Sequence, residues 1–315
     1  GFDLSSLIQR PRAKGIMVRH TVGLTDPLKR TGARPDGENP MSYSLAEFID
    51  RFQFTHFKIK IKSDIPHTLD RLATIAGLLE QKVSGGYVIT LDGNETFGTM
   101  AQVEEFVGRM YSHRELQTFK GRVLYLEQPF PRDMLGGLTS EDKRAIDTIQ
   151  GKYKIPLLID ESSDQWNSYA TAVRAGIRGT SIKLCKGIFH ALADMALART
   201  LNGVDGRYPG FVSAEDLTAA EPGNFLHSVD LLSALGFIHA ELNGFCKTDP
   251  LGHRTQKEVE DTLARFPHLY QRVNGRVLLV PSGPYFPTVD IQKPGFGGGS
   301  LFNPDETTAK RKELK

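Results

Sequence analysis

Carboxylates and lysines recur along this chain at intervals that would set them side by side. Lys58 and Lys60, Asp92, Glu127, Asp160 with Glu161, and Lys183 each fall at or near the end of a short run rich in branched or aromatic residues. From Lys60 to Lys183 the successive groups stand about 23 to 35 residues apart, roughly one strand-plus-helix unit. Three carboxylates converging without His or Cys form an all-oxygen site suited to Mg2+ or Mn2+. Packed together without a cation they would repel, and one would be driven toward its neutral form. The lysines lie on the strands to either side and face the pocket from opposite directions. A lysine near a divalent cation and partly desolvated loses basicity and can act as a base near neutral pH. Together these parts would remove a proton next to a substrate carboxylate. The metal would hold the carboxylate oxygens and stabilise the enediolate left behind.

Such a ring needs elements that repeat. Strand-like runs occupy 16–22, 56–62, 87–93, 123–129, 156–162, 180–186, 210–216 and 239–245. Between them, 65–81, 99–116, 138–150, 168–177, 189–201 and 223–236 place apolar residues at helical spacing. Strand alternating with helix implies a parallel sheet, and eight strands imply a closed α/β barrel of the TIM type. A doubly wound open sheet is the alternative, but no glycine-rich nucleotide turn follows the first strand. A barrel interior is expected to be packed and apolar, so charges at strand C-termini project into the mouth. The barrel is assigned to 15–255. Residues 256–300 form an extension with a helix at 256–266 and a strand at 276–280, and 301–315 a charged flexible tail.

Composition narrows the function. With 39 basic and 37 acidic residues the chain lacks the concentrated basic face of a nucleic-acid binder. No stretch approaches the roughly 18 consecutive apolar residues of a membrane span. Two cysteines, Cys185 and Cys246, argue against a disulfide framework and for a reducing, cytoplasmic setting.

HFKIKIK (56–62), LDGNETF (91–97), LEQPF (126–130), LIDES (158–162) and SIKLCKG (181–187) also resemble, in order, the strand motifs of the enolase superfamily. Within it they are most similar to the muconate-lactonizing subgroup of the mandelate racemase and muconate lactonizing enzyme family. The resemblance spans about 15–300. It implies Asp92, Glu127 and Asp160 as Mg2+ ligands, Lys60 and Lys183 as acid/bases on opposite faces, and Lys58 as a helper near the substrate carboxylate. Asn94 and Gln128 become supporting groups near metal and substrate. The family histidine of the seventh strand is absent, since that run ends SAED (213–216), which favours a lysine–lysine pair. Lys62 stands where a glycine is common, and Gly187 alone where paired glycines are common.

The implied reaction is α-proton abstraction from a small carboxylate, such as an acid sugar or amino-acid derivative, giving racemisation, epimerisation or dehydration. Cycloisomerisation, an o-succinylbenzoate-synthase-like elimination and a catalytically inactive metal-binding barrel stay open. The resemblance further implies a homo-oligomer, and an α+β capping domain of roughly 100 or more residues before the barrel. Residues 1–14 read as a remnant of that domain or a linker from it.

Other polar residues fall near the mouth. Asn243 and Asp249, at and beyond the eighth strand, are placed to contact substrate, and His20 to reach the pocket from the first. Glu161 should point away from Asp160 by strand alternation. Glu215 reads as substrate-facing or a cap, and Asp216 as a helix cap. Lys186 reads as a surface or loop lysine, Cys185 as buried packing in the sixth strand, and Trp166 as packing within the loop after the fifth.

Overall fold

The computed structural model describes residues 4–7, 12–30, 32, 43–201, 209–215, 221–245 and 248–288. Gly15–Val22 (β1) precedes Leu45–Phe52 (α1), and His56–Lys60 (β2) precedes Ile65–Lys82 (α2). Val88–Asp92 (β3) leads to Met100–Ser112 (α3) and the short Gln117–Lys120 (α4). Val123–Glu127 (β4) leads to Ser140–Gly151 (α5), and Leu157–Ile159 (β5) to Ser168–Ala175 (α6). Gly179–Ile182 (β6) is followed by Ile188–Thr200 (α7), Phe211–Ala214 (β7) by Pro222–Ala234 (α8), and His239–Leu242 (β8) by Gln256–Arg265 (α9). Every adjacent pair from β8 through β1 to β7 is parallel. The chain is therefore an α/β barrel of the TIM type. It is nearly closed: among the described residues β7 and β8 share no ladder.

Strands covered by helices are buried on their outer face, which explains their near-continuous apolar character. Phe57, Ile59, Ile89 and Leu91 share one core with Leu72, Ile75 and Leu79 of α2 and Val103 and Phe106 of α3. Each such side chain, fully buried, contributes about 1.5–3 kcal/mol. Helix starts are written locally. Ser44 with Glu47, Thr139 with Asp142 and Thr255 with Glu258 form reciprocal capping boxes for α1, α5 and α9. The first of these marks a helix that apolar spacing alone does not predict.

Beyond the barrel, α9 leads to an antiparallel hairpin of Tyr270–Val273 (β9) and Arg276–Leu279 (β10). Its turn, Asn274–Gly275, has both residues left-handed, at φ 49° and 78°, the conformation a two-residue hairpin turn demands. Tyr285–Pro287 (β11) then pairs antiparallel with the start of β1, Tyr285 opposite Met17. The extension thus seals the barrel's first strand. At the other end Leu7 is buried with Ile182, Ala191, Met195 and Leu235. Residues 289–300 and the charged tail lie outside the described residues. Among those described, no helix is long and apolar enough to cross a membrane.

Candidate active site

The ladder sets the rim. Lys60 pairs with Asp92 in register, and Asp92 with Glu127. Asp160 follows β5 directly and Lys183 follows β6. Lys60 Nζ donates to Asp92 Oδ2 at 2.6 Å, and Lys183 Nζ stands 2.7 Å from Asp160 Oδ2. The structure thus gathers Lys60, Asp92, Glu127, Asp160 and Lys183 around one end of the barrel, with Lys58 beneath them. Close strand packing makes this possible at Gly93, whose amide donates to Glu127 O at 2.9 Å. A Cβ there would stand 2.6 Å from Pro129 Cα. Gly93→Ala should therefore push the ends of β3 and β4 apart and lower stability by about 1–3 kcal/mol, read from urea unfolding.

The expectation of an apolar interior is overturned. Arg19, Lys58, Tyr125, Glu215 and Glu241 are all buried inside the barrel. Lys58 Nζ lies 2.7 Å from Glu127 Oε1, 2.9 Å from Asp92 Oδ2, 3.0 Å from Glu215 Oε2 and 3.1 Å from Glu241 Oε2. Arg19 bonds Glu215, donates to Ala214 O at 2.9 Å and meets His239 Nδ1 at 2.8 Å. Tyr125 donates to Glu215 Oε1 at 2.7 Å, and Thr21 to Glu241 Oε1 at 2.7 Å. Polar satisfaction explains how such groups tolerate burial: each is bonded to another buried group rather than to water. Glu215, read as substrate-facing or a cap, is instead buried inside the barrel and bonded to Arg19, Lys58 and Tyr125. Asp216 lies outside the described residues.

Charge is unevenly shared in this cluster. Burial opposes the charge on Lys58, but Glu127, Glu215, Glu241 and Asp92 outweigh it and hold the ammonium well above its ordinary range. Burial likewise opposes Glu215, yet Arg19 and Lys58 keep it well below the usual carboxylate range. Glu127 goes the other way: burial first, then Asp92 and Glu215, drive it well above that range. Glu241 is also raised by burial, with Lys58 opposing. Carboxyls outnumber cations around Lys58, so their mutual repulsion opposes ionisation of the surplus acid. Burial, then Arg19 and His56, push His239 down to about 3. Its ring is therefore neutral, and Nδ1 accepts from Arg19, which can only donate.

Asp160 is the best-neutralised acid of the rim. Burial would raise it, but Lys186 and Lys183 more than offset that and hold it below the usual range. Lys186 is thus a loop lysine, turned onto Asp160. Its Nζ donates to Asp160 O at 2.7 Å, Asp160 Oδ1 at 2.9 Å and Ser181 Oγ at 2.8 Å. The strand ends at Ile182, and Leu184–Lys186 form a 3-10 turn. Three residues per turn stack positions i and i+3, so the K-x-x-K spacing itself was the missed signal. The same turn leaves Cys185 exposed rather than packed in a strand.

Around the rim, Gln128 Oε1 accepts from Asp160 N at 2.9 Å and Ser162 N at 3.1 Å, fixing the end of β5. Asn94 Nδ2 donates to Glu161 Oε1 at 2.9 Å, and its amide to Asp92 Oδ1 at 2.9 Å. Glu161, like Asp160, lies beyond the end of β5, where alternation does not apply, and after burial Asp160 is the main group raising its carboxyl. Asn243 is half-buried just beyond β8. Asp249 is turned to its own turn, its Oδ1 accepting from Leu251 N at 3.1 Å. His20 is not in the pocket but packs against Phe48 and Phe54, with ring centroids 4.4 and 5.2 Å away. Trp166 is exposed, with its ring 5.3 Å from that of His190.

A mandelate racemase/muconate lactonizing protein from Herpetosiphon aurantiacus superposes with a TM-score of 0.51 at 17% identity, over 87% of this chain and 65% of its own. A dipeptide epimerase from Enterococcus faecalis, solved with Mg and L-Leu-L-Tyr, gives 0.51 at 17% over 76% and 57%. A mandelate racemase/muconate lactonizing protein from Paracoccus denitrificans gives 0.50 at 14% over 87% and 61%. The chain has the barrel fold of the mandelate racemase and muconate lactonizing proteins. It spans between 57% and 65% of the length of these three structures. No family model and no curated protein matches its sequence.

Within that barrel the all-oxygen rim suits a hard cation in its chemistry. Glu127 belongs to a cluster with surplus acid, and its Oε2 is buried without a hydrogen-bond partner. As the side chains stand, no three of His, Cys, Asp and Glu among the described residues are gathered to enclose a metal. The ammonium groups of Lys58, Lys60, Lys183 and Lys186 lie against the same oxygens. A divalent ion and an ammonium group satisfy one electrostatic demand, so loading the site would require these lysines to turn aside.

Proposed function

We propose that this chain carries the catalytic barrel of an enzyme that removes the α-proton of a carboxylate substrate and returns it from the opposite face. The observation that carries this reading is the flanking of Glu127 by two separate lysine–aspartate pairs, Lys60–Asp92 and Lys183–Asp160. Lys60 enters from β2 and Lys183 from the end of β6, so a substrate between them meets one base on each side. Asp92, Glu127 and Asp160 are the residues that would hold Mg2+, which when bound supplies positive charge against the enolised carboxylate. Lys58, clamped by Glu215 and Glu241, adds a fixed positive charge below the site. Gln128 and Asn94 keep the strand ends in place. Racemisation or epimerisation is the outcome that two opposed bases serve best. The dipeptide epimerase among the solved relatives makes dipeptides one substrate class to try, beside acid sugars.

The test is a screen of acid sugars and dipeptides with Mg2+ in deuterated water, following loss of the α-proton signal by NMR. Exchange of one substrate class supports the reading, and no exchange across both overturns it. The metal site has its own readout. At a Mg2+ concentration about 100 times its Kd, binding should stabilise the fold by about 2.7 kcal/mol, seen as a rise in Tm. Glu127→Gln should lose that rise. An unchanged Tm in the parent chain at millimolar Mg2+ would remove the metal from the reading.

A further inference from the structure

A second cavity adjoins the rim. It has a volume of about 170 Å3 and lies between the loop after β1 and the first turns of α2. Leu24 and Leu72 form its apolar walls, Thr25, His67 and Thr68 are polar lining, and the cations Lys60, Lys62 and Arg71 complete it. No Asp or Glu lines it among the described residues. This gathering of cations is local, since the whole chain carries a net charge of only +2. Lys60 belongs both to this cavity and to the rim, where its ammonium meets Asp92.

Arg71 is the informative residue. Its Nη2 donates to Gly23 O at 2.7 Å and Asp26 O at 2.9 Å, which ties the loop to α2. Its Nε is buried and has no hydrogen-bond partner. A buried donor left unmade is costly, and a charged acceptor is what repays it best. Burial pushes the guanidinium down, and Asp26 offsets this only in part. No neighbouring acid lines the cavity: Asp26 accepts from Gly23 N at 2.7 Å, Asp64 stands 3.8 Å from Lys62 at the surface, and Asp92 faces the rim. By volume the cavity has room for about five waters, enough for a carboxylate and two methylenes.

We infer that this cavity is an oxyanion subsite that holds the distal acidic group of the substrate, with the Arg71 guanidinium as donor, Lys62 as supporting charge and Leu24 and Leu72 against the connecting methylenes. It follows that the substrate is a di-acid, its reacting carboxylate at the rim and its second acidic group beside α2. This assignment of the substrate rests on Lys60 acting as a base, whereas oxyanion binding in the cavity does not.

Calorimetric titration with glutarate, butyrate and inorganic phosphate tests it without any turnover. Glutarate should bind about tenfold more tightly than butyrate, which lacks only its second carboxylate, the worth of one charge-assisted contact. Arg71→Gln should erase that preference. Because Arg71 also ties down a loop, Leu24→Trp provides a second route, filling the cavity from its rim while leaving the bonds of Arg71 to Gly23 and Asp26 intact. It too should erase the preference. Phosphate competing with glutarate would show that the subsite takes oxyanions in general, and phosphate without effect would confine it to carboxylates; both support an oxyanion subsite. No glutarate preference in the parent chain, or a preference unchanged in both variants, overturns the inference. An Arg71-dependent preference in a chain that exchanges no α-proton would sink the proposed reaction and leave the subsite standing.

Discussion

Under the proposed two-base reaction, Lys60→Ala and Lys183→Ala should each abolish racemisation while leaving the protein folded. Removal of a positioned base costs on the order of 10^2- to 10^4-fold in rate, and a two-base reaction fails when either base is missing. The two variants should nevertheless differ from each other. Each keeps one lysine, so each should still exchange the α-proton of the stereoisomer that presents its hydrogen to the surviving base. Exchange in deuterated water with each pure stereoisomer separates the faces. The fold should survive because neither aspartate loses its last cation. Asp92 keeps Lys58 at 2.9 Å, and Asp160 keeps Lys186 at 2.9 Å. A change in Tm beyond a few degrees would mean that the lysines are structural props, and full racemisation in either variant would end their assignment as opposed bases.

This division between neutralisation and chemistry was only partly legible in the sequence. The order of the rim could be read because one β/α unit has a nearly constant length, so Lys60, Asp92, Glu127, Asp160 and Lys183 had to fall on successive strands. Helices were legible where apolar residues recur at three and four, as in α2 and α3. The short α1 was not, since its start is written in the Ser44–Glu47 capping box rather than in a long apolar stripe. The polar interior was missed for a different reason. A strand buried on both sides shows charged residues that seem out of place, and Arg19 inside IMVRHTV (16–22) is such a residue. Its partner Glu215 lies 196 positions away, and no local pattern joins them. The contact of Lys186 with Asp160 was missed because its strand was taken four residues too far, through a turn that changes the period from two to three.

Arg19→Met should be among the most destabilising single substitutions in the protein, at about 3–5 kcal/mol, because it strands a buried partner. Arg19 leaves β1 and reaches both β7, through Ala214 O and Glu215, and β8, through His239. Those are the two strands that share no ladder among the described residues, so one side chain spans the seam from inside the barrel. Without it, Glu215 keeps Lys58, Tyr125, Ser213 and Glu241 among its partners, and burial is no longer outweighed as before. Thermal unfolding should shift downward by on the order of 10 °C. The pH dependence follows from the sign of the Glu215 shift. A depressed folded-state value means that its contribution is present above the ordinary value of 4.5 and is lost as pH falls through the lower folded one. Arg19→Met should therefore lose most of its stability deficit toward acid pH, where Glu215 is protonated in both proteins. The double variant Arg19→Met/Glu215→Gln should recover much of the loss at neutral pH, since no unpaired charge then remains buried. A single variant within about 1 kcal/mol of the parent would show that the seam is held by other contacts.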